Sequence, residues 1–267
     1  MPTSGGGPDL TSSANPRVKS LLTLRRPRTR AELGRTLVEG YDEVLLVVTV
    51  GVEVFELYVC PDLAEPGRVA EVVAVAPVRP VTVSRAVFEK VSYRDSPDGF
   101  LAVCRPPGVA LDEVRLPERP MVVVCEGIEK PGNLGAILRT ADAAGVDLVI
   151  SADPRTDLAN PNVIRASRGA AYAVPVATAD LGTAYAWLAE RDIAVVAASP
   201  DATTPHTEAD LRGAVAIVVG TEHEGLTEAA GRRADTLVRI PMSGRLNSLN
   251  VSVSLAVLVY EAVRQRG

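Results

Sequence analysis

Five short runs rich in valine and isoleucine mark the second half of the chain. They are Met121–Cys125, Asp147–Ser151, Ile193–Ala198, Ala214–Val219 and Leu237–Ile240. Each run is followed by a turn or helix signal, which is typical of parallel strands covered by helices on both faces. Aromatic residues make up only 4% of the chain, so Val, Ala and Leu must fill such an interior. The pattern predicts an α/β fold, closed by a helix over Ser248–Arg266.

A proline-rich segment divides the sequence. Residues 105–120 contain four prolines and cannot continue a helix or an interior strand, so we interpret them as an interdomain linker. Residues 121–267 then form one domain, and residues 15–104 form a smaller α/β domain. Its apolar runs are Val44–Val52, Val54–Cys60, Val69–Ala76, Val78–Val83 and Phe100–Val103. Residues 1–14 are rich in Gly, Ser, Thr and Pro, which predicts a disordered tail.

Charge is distributed unevenly along the chain. The formal net charge of −5 by itself argues against a nucleic-acid partner. The segment Asn15–Thr36, however, holds seven basic residues and one acidic residue, a charge of +6 that leaves −11 for the rest of the chain. Charge runs often form a solvated helix face, but one-sided charge favours a phosphate-binding surface.

Several familiar classes of protein lack their signatures. The three cysteines are widely spaced with no CxxC, which suggests neither a disulfide framework nor a zinc site and fits a reducing, cytoplasmic compartment. The sequence has two histidines and no HExxH, GxSxG, P-loop or opening GxGxxG. Its longest uncharged stretch is shorter than the roughly 20 residues of a membrane-spanning helix. We therefore expect no metal and no membrane segment.

Three loops follow predicted strands and carry glycine with polar residues. They are Glu126–Gly135, Gly220–Leu226 and Ile240–Asn250. Each glycine could merely make a tight turn. Because ligands bind at the carboxyl ends of strands in an open α/β sheet, we expect the three loops to converge on one crevice.

The ordered motifs within these loops resemble a known family. The motifs are Asn133-Leu-Gly-Ala-Ile-Leu-Arg139-Thr-Ala, Gly220-x-Glu222-x-x-Gly225-Leu226, and Ile240-Pro-Met242 followed by Ser248-Leu-Asn250-Val-Ser. Together they resemble the SpoU/TrmH family of RNA ribose 2′-O-methyltransferases, in the SPOUT superfamily. The segments Asn15–Lys19 and Leu37–Gly40 are similar, more weakly, to the substrate-binding domain that is common in that family.

The resemblance implies a fold, a cofactor and an assembly. The fold would be a C-terminal α/β trefoil-knot (SPOUT) methyltransferase domain with a small N-terminal α/β RNA-binding domain. The family binds S-adenosyl-L-methionine in the knot loops and works as a homodimer. The residues that we expect to hold the cofactor are Val219, Gly220, Ile240, Met242, Ser243 and Leu249.

The resemblance also implies a catalytic set. It comprises Asn133, Arg139, Glu222, Ser248 and Asn250. We interpret Arg139 as a clamp on the RNA phosphate rather than a base, because a guanidinium stays protonated; a surface arginine is the alternative. Asn133 could also be a helix N-cap, Glu222 could cap the helix that follows it, and Ser248 could cap the last helix.

The expected substrate is structured RNA, with ribosomal RNA favoured over transfer RNA because of the separate N-terminal domain. The candidate RNA contacts are Arg17, Lys19, Arg25, Arg26, Arg28, Arg165 and Arg168. The sequence leaves two alternatives open: a tRNA ribose methyltransferase, and a catalytically silent RNA-binding or ribosome-assembly protein.

Overall fold

The computed structural model describes residues 9–221 and 224–267. Packing divides the chain into two compact units. The first contains Met1–Pro106 together with Leu158–Tyr172, and the second contains Pro107–Asp157 together with Ala173–Gly267. The first unit is therefore discontinuous in sequence.

The first unit is built on a four-stranded sheet. Its strands are β1 (Thr36–Glu39), β2 (Val54–Val59), β3 (Val81–Thr82) and β4 (Phe100–Cys104). The strand order is β1-β4-β2-β3, in which β4 is antiparallel to β1 and β2, and β3 is parallel to β2. Its helices are α1 (Pro16–Thr23), α2 (Pro27–Leu33), α3 (Tyr41–Thr49), α4 (Pro66–Val75), α5 (Arg85–Val91) and α7 (Pro161–Ala166).

Two of the apolar runs of this domain form helices. The run Val44–Val52 lies largely in α3, and Val69–Ala76 lies in α4. In α3 the buried valines recur at a spacing of three and four residues, which places them on one helical face. Both faces of the sheet are covered, one by α1 and α5 and the other by α3, α4 and α7.

The first unit also differs from the predicted domain boundaries. Residues 1–8 of the predicted tail lie outside the described residues, but Leu10 is buried and its backbone N–H donates to the Thr82 carbonyl at 3.0 Å. The segment Leu158–Tyr172, expected in the second domain, packs here instead. Its Ile164 enters the core, and the Thr36 hydroxyl donates to the Ala159 carbonyl at 2.5 Å.

The second unit contains a seven-stranded, all-parallel sheet in the order β7-β6-β5-β10-β8-β11-β9. Its strands are β5 (Met121–Glu126), β6 (Leu148–Ala152), β7 (Val176–Ala179), β8 (Ala194–Ala198), β9 (Thr204–Pro205), β10 (Val215–Val219) and β11 (Thr236–Arg239). The five predicted strands are confirmed, and the α/β fold class with them. The prediction missed β7 and β9.

Helices flank this sheet. They are α6 (Pro131–Ala144), α9 (Leu181–Ala189), α10 (Glu228–Arg233) and α11 (Val251–Arg266), while the short α8 (Ala170–Ala173) crosses the boundary between the units. The α6 helix begins within the predicted loop Glu126–Gly135, because Pro131 occupies its first turn. The predicted linker is not free: Val114 and Leu116 pack against the core of the second unit.

The last turn of α11 is anchored by polar contacts. The Arg266 guanidinium donates to backbone carbonyls at the start of β5 and before β10, among them Pro120 at 3.1 Å and Gly213 at 2.6 Å. Hydrogen bonds from Arg264 and Gln265 lower the pKa of Glu261 to about 2. None of the helices in the described part of the chain is long and apolar enough to cross a membrane.

Candidate functional site

A cavity of about 480 Å³ lies at the carboxyl ends of β8, β10 and β11. Segments from all three predicted loops line it, so their convergence is confirmed. The lining residues are Lys130, Asn133, Ala198, Ser199, Pro200, Asp201, Val219, Gly220, Thr221, Glu224, Gly225, Leu226, Val238, Ile240, Met242, Asn247, Ser248, Leu249, Asn250, Val251 and Ser254. The volume lies within the range of small-molecule sites.

The loop after β10 folds back tightly on itself. The Thr221 N–H donates to the Gly225 carbonyl at 2.8 Å, and the Gly225 N–H donates back to the Thr221 carbonyl at 3.2 Å. A Cβ atom on Gly220 would lie 2.1 Å from the Gly225 carbonyl carbon, so only glycine fits there. The loop therefore presents backbone to the cavity. Glu222, a predicted catalytic residue, lies outside the described residues.

A buried carboxylate anchors the far end of this loop. Glu126, the last residue of β5, is 3% exposed and accepts hydrogen bonds from the Thr227 hydroxyl at 2.6 Å and the Thr227 N–H at 3.1 Å. Thr227 in turn caps α10 by accepting from the Ala230 N–H. The prediction assigned Glu126 no role. The sequence does carry a signal for this role, because Glu126 is the single charged residue at the end of an otherwise apolar strand.

Two predicted catalytic residues, Asn133 and Asn250, meet at the edge of the cavity. The Asn250 side-chain amide donates to the Asn133 Oδ1 at 3.1 Å, which links residues 117 positions apart. Asn133 is the third residue of α6, whose N-cap is Lys130, so the interpretation of Asn133 as an N-cap is wrong. The early start of the helix at Pro131 moves the cap position upstream.

Asn250 has a second role as the N-cap of α11. Its Oδ1 accepts from the Ser252 N–H at 3.0 Å and from the Ser252 hydroxyl at 2.6 Å. The capping alternative for Ser248 is therefore wrong, because α11 begins at Val251, too far along for Ser248 to cap it. Ser248 instead lines the cavity.

The predicted cofactor residues are nearly all brought together. Val219, Gly220, Ile240, Met242 and Leu249 line the cavity, whereas Ser243 is exposed outside the lining. The prediction missed a fourth loop, residues 198–201, although it follows a predicted strand and obeys the same carboxyl-end rule.

Arg139 does not reach the cavity of its own chain. It is exposed on α6, six residues beyond Asn133, which puts it about 120° away around the helix. Cys125, near the end of β5, is fully buried, and burial raises the pKa of its thiol to about 12, so it remains protonated at neutral pH. Within residues 9–221 and 224–267, no group of three His, Cys, Asp or Glu side chains could hold a metal ion.

The predicted RNA contacts of the first unit fall into two groups. Arg17 forms an ion pair with Glu56 at 2.7 Å, and Arg25 donates to the Ser92 carbonyl at 2.9 Å, so both stabilise the fold. Arg28 forms a surface pair with Glu32. Four side chains are exposed and form no ion pair with another described residue: Lys19, Arg26, Arg165 and Arg168. Arg168 adopts a positive φ of 53°, uncommon outside glycine.

The cavity lies at the carboxyl ends of parallel strands. It is lined by backbone and apolar side chains, and the side-chain amides of Asn133 and Asn250 lie at its edge. Such a fold and site define an α/β protein that binds a small ligand with both apolar and polar parts. A family model described as the SpoU rRNA Methylase family matches residues 120–260, and one described as the MRM3-like substrate binding domain matches residues 15–102. The chain belongs to the SpoU rRNA methylase family.

Individual relatives agree with that assignment. The 23S rRNA (guanosine-2′-O-)-methyltransferase RlmB of Ralstonia nicotianae is 41% identical over 148 residues, which cover 55% of this chain and 59% of that protein. A crystal structure of an RNA 2′-O ribose methyltransferase is 42% identical with a TM-score of 0.86, covering 96% of this chain and 98% of the other. An AdoMet-bound rRNA methyltransferase from Sinorhizobium meliloti is 28% identical with a TM-score of 0.85, covering 96% and 97%.

Proposed function

We propose that this protein transfers a methyl group from S-adenosylmethionine to a ribose 2′-hydroxyl of ribosomal RNA, with 23S rRNA as the first candidate. The observation that carries the proposal is the cavity in which segments of the three motif loops meet, with Asn133 and Asn250 joined at its edge. The names of the relatives support the same reaction and substrate.

The residues present fit S-adenosylmethionine. The tight loop at Gly220 presents backbone to the cavity, and Ile240, Met242 and Leu249 supply apolar walls against which a flat base can pack. Lys130, Asp201 and Glu224 place charges of both signs around the cavity, matching a ligand that carries an ammonium, a carboxylate and a sulfonium. Bound there, the cofactor supplies the electrophilic methyl group.

The chain's own residues then have positioning roles. The hydrogen bond between Asn133 and Asn250 fixes the edge of the cavity where the ribose enters. Arg139 grips the adjacent RNA phosphate and stabilises the negative charge that develops on the attacking oxygen. A guanidinium has no acceptor for a proton, so the hydroxyl proton leaves to phosphate or water.

Arg139 performs this role in a homodimer. Several large apolar side chains are exposed on the third loop and α11, among them Leu246 at 75%, Val253 at 47% and Tyr260 at 49%. A second copy of the chain would cover this surface. Since Arg139 lies outside its own cavity, it acts on RNA held at the cavity of the partner.

The remaining assignments follow the family. Residues 15–104 recognise RNA and residues 121–267 catalyse the transfer, with 105–120 between them. The loops that form the cavity belong to a trefoil knot. The protein works in the cytoplasm, where ribosomal RNA is processed.

Labelled S-adenosylmethionine tests the proposal. The protein is incubated with separate 23S rRNA, 16S rRNA and tRNA transcripts, and mass spectrometry maps the labelled nucleotide. We expect label on one ribose of 23S rRNA. Label on a base would refute ribose methylation, and label on tRNA would refute rRNA as the substrate. If the protein binds no S-adenosylmethionine, it is the catalytically silent RNA-binding protein instead.

A further inference from the structure

A β-bulge displays an aromatic ring at the surface of the first unit. In the β2–β4 ladder Val54 pairs with Cys104 and Glu56 pairs with Val103, so Phe55 is the extra, unpaired residue. Bulges re-aim side chains and occur often beside functional sites. Phe88 and Phe100 are fully buried, which leaves Phe55 as the one phenylalanine of the chain that is partly exposed.

The bulge places two consecutive side chains on the same face of the sheet. Phe55 packs against the edge of the cluster that includes Tyr58, and Glu56 accepts hydrogen bonds from Tyr58 and Arg17 on that same side. In a regular strand, neighbours would point to opposite faces. Phe55 therefore lies on the face of the sheet that helix α1 covers.

Arg35 covers the Phe55 ring. Its guanidinium carbon lies 4.4 Å from the ring centroid, the shortest such distance in the first unit's described part. Arg35 is half-buried and attracts the Glu56 carboxylate, which helps to lower the pKa of Glu56, but the hydrogen bonds to that carboxylate come from Arg17 and Tyr58. The neighbouring Glu56 is held instead by Arg17, at 2.7 Å.

Glu56 keeps this arrangement charged and rigid. Burial raises the pKa of Glu56, but hydrogen bonds from Tyr58 and Arg17 outweigh that effect and lower the pKa below its usual value. The ionised carboxylate ties α1 to β2 beside the bulge. Arg35 thus presents a planar cation on top of an aromatic ring, within a basic segment of the chain. Unpaired bases of RNA stack on aromatic rings and on guanidinium planes of this kind.

We propose that Arg35 and Phe55 form a stacking platform for an unpaired base of the RNA substrate. The platform rests on the proposed function and extends it, because it assigns the first unit a preference for single-stranded or looped RNA over duplex. The base lies on the outer face of the guanidinium, with Phe55 beneath. A duplex cannot use the platform, because its bases are already stacked.

Charge-conserving substitutions separate stacking from simple attraction. Arg35→Lys keeps the positive charge but loses the planar surface, and Phe55→Leu keeps an apolar side chain but loses the ring. The matched control is Arg68→Lys, since Arg68 lies over the Tyr41 ring at 4.6 Å elsewhere in the first unit. Dissociation constants are measured with a 23S rRNA transcript, a single-stranded oligoadenylate and a fully paired RNA duplex.

We expect both substitutions to weaken binding of 23S rRNA and oligoadenylate by about 5- to 150-fold, the range for loss of one stacked base. Duplex binding and the Arg68→Lys control should stay at the wild-type level.

Two results overturn the platform: wild-type affinity of Arg35→Lys for oligoadenylate, or an equal loss on the duplex. Arg35 is partly exposed and adopts no unusual backbone conformation, and duplex binding at the wild-type level shows that each variant is folded. Methyl transfer by the wild type is measured in parallel. If the wild type transfers no label to any RNA, the proposed function fails while the oligoadenylate assay still decides the platform.

Discussion

Substituting Gly220 by alanine tests whether the tight loop after β10 shapes the cavity. The added Cβ atom would lie 2.1 Å from the carbonyl carbon and oxygen of Gly225, whereas ordinary contacts begin at 3.4 Å. The loop must therefore move by more than about 1 Å, which opens the paired Thr221 and Gly225 backbone groups. Overpacking of this kind costs about 1–3 kcal/mol.

The substitution destabilises the loop conformation that lines the cavity, and S-adenosylmethionine binding requires that conformation. We expect the dissociation constant of S-adenosylmethionine to rise by about 5- to 150-fold, the equivalent of 1–3 kcal/mol. Titration calorimetry measures it, and thermal unfolding shows whether the fold survives. Gly231→Ala is the matched control, because a Cβ there meets nothing within 4 Å and lies inside α10. Wild-type affinity in Gly220→Ala would refute the role of the loop.

Three further predictions concern the cavity edge, the exposed arginine and the end of α11. Asn250→Asp keeps the acceptor for Ser252 but removes the donor to Asn133, so turnover should fall at an unchanged melting temperature; unchanged turnover contradicts the edge role. Arg139→Ala should lose turnover with near-normal cofactor affinity, and turnover equal to the wild type would exclude the clamp. The pKa of Glu261 is about 2 in the folded state against 4.5 normally, so the ionised carboxylate stabilises the folded protein. This contribution is fully present above pH 4.5 and is lost as the pH falls towards 2. Glu261→Gln should flatten that acid limb in unfolding curves recorded across this range, and an unaltered limb would exclude the assignment.

Three interior strands of the second unit, β5, β6 and β10, were predictable because they are buried throughout and therefore form continuous apolar runs. The edge strand β7 has only two buried residues before it becomes exposed, and β9 contains two residues including Pro205, so neither produces such a run. In the first unit, helix α3 is as apolar as a strand. Only the three- and four-residue spacing of its buried valines distinguishes it.

The convergence of the loops was predictable from the carboxyl-end rule, but individual side-chain partners were not. The pair formed by Asn133 and Asn250 depends on where two helices begin, and boundaries are set by local prolines and caps. The internal partners of Arg17 and Arg25 required the tertiary structure, since composition counts every arginine alike. The motif predicted that Arg139 lies at the cofactor cavity, but its position on α6 directs it away from the cavity of its own chain.

The segment Leu158–Tyr172 belongs to the first unit although it follows part of the second unit in sequence. This arrangement limits how the chain can be truncated or combined with a relative in a chimera. A fragment ending at Pro106 would lack α7 beside β1, leaving that edge strand and the pocket for Ile164 open to self-association. A chimera joined within residues 105–120 would pair the N-terminal part of one relative with the α7 of another. Successful exchange of recognition modules therefore requires two breakpoints, with Leu158–Tyr172 moved together with the residues that it covers.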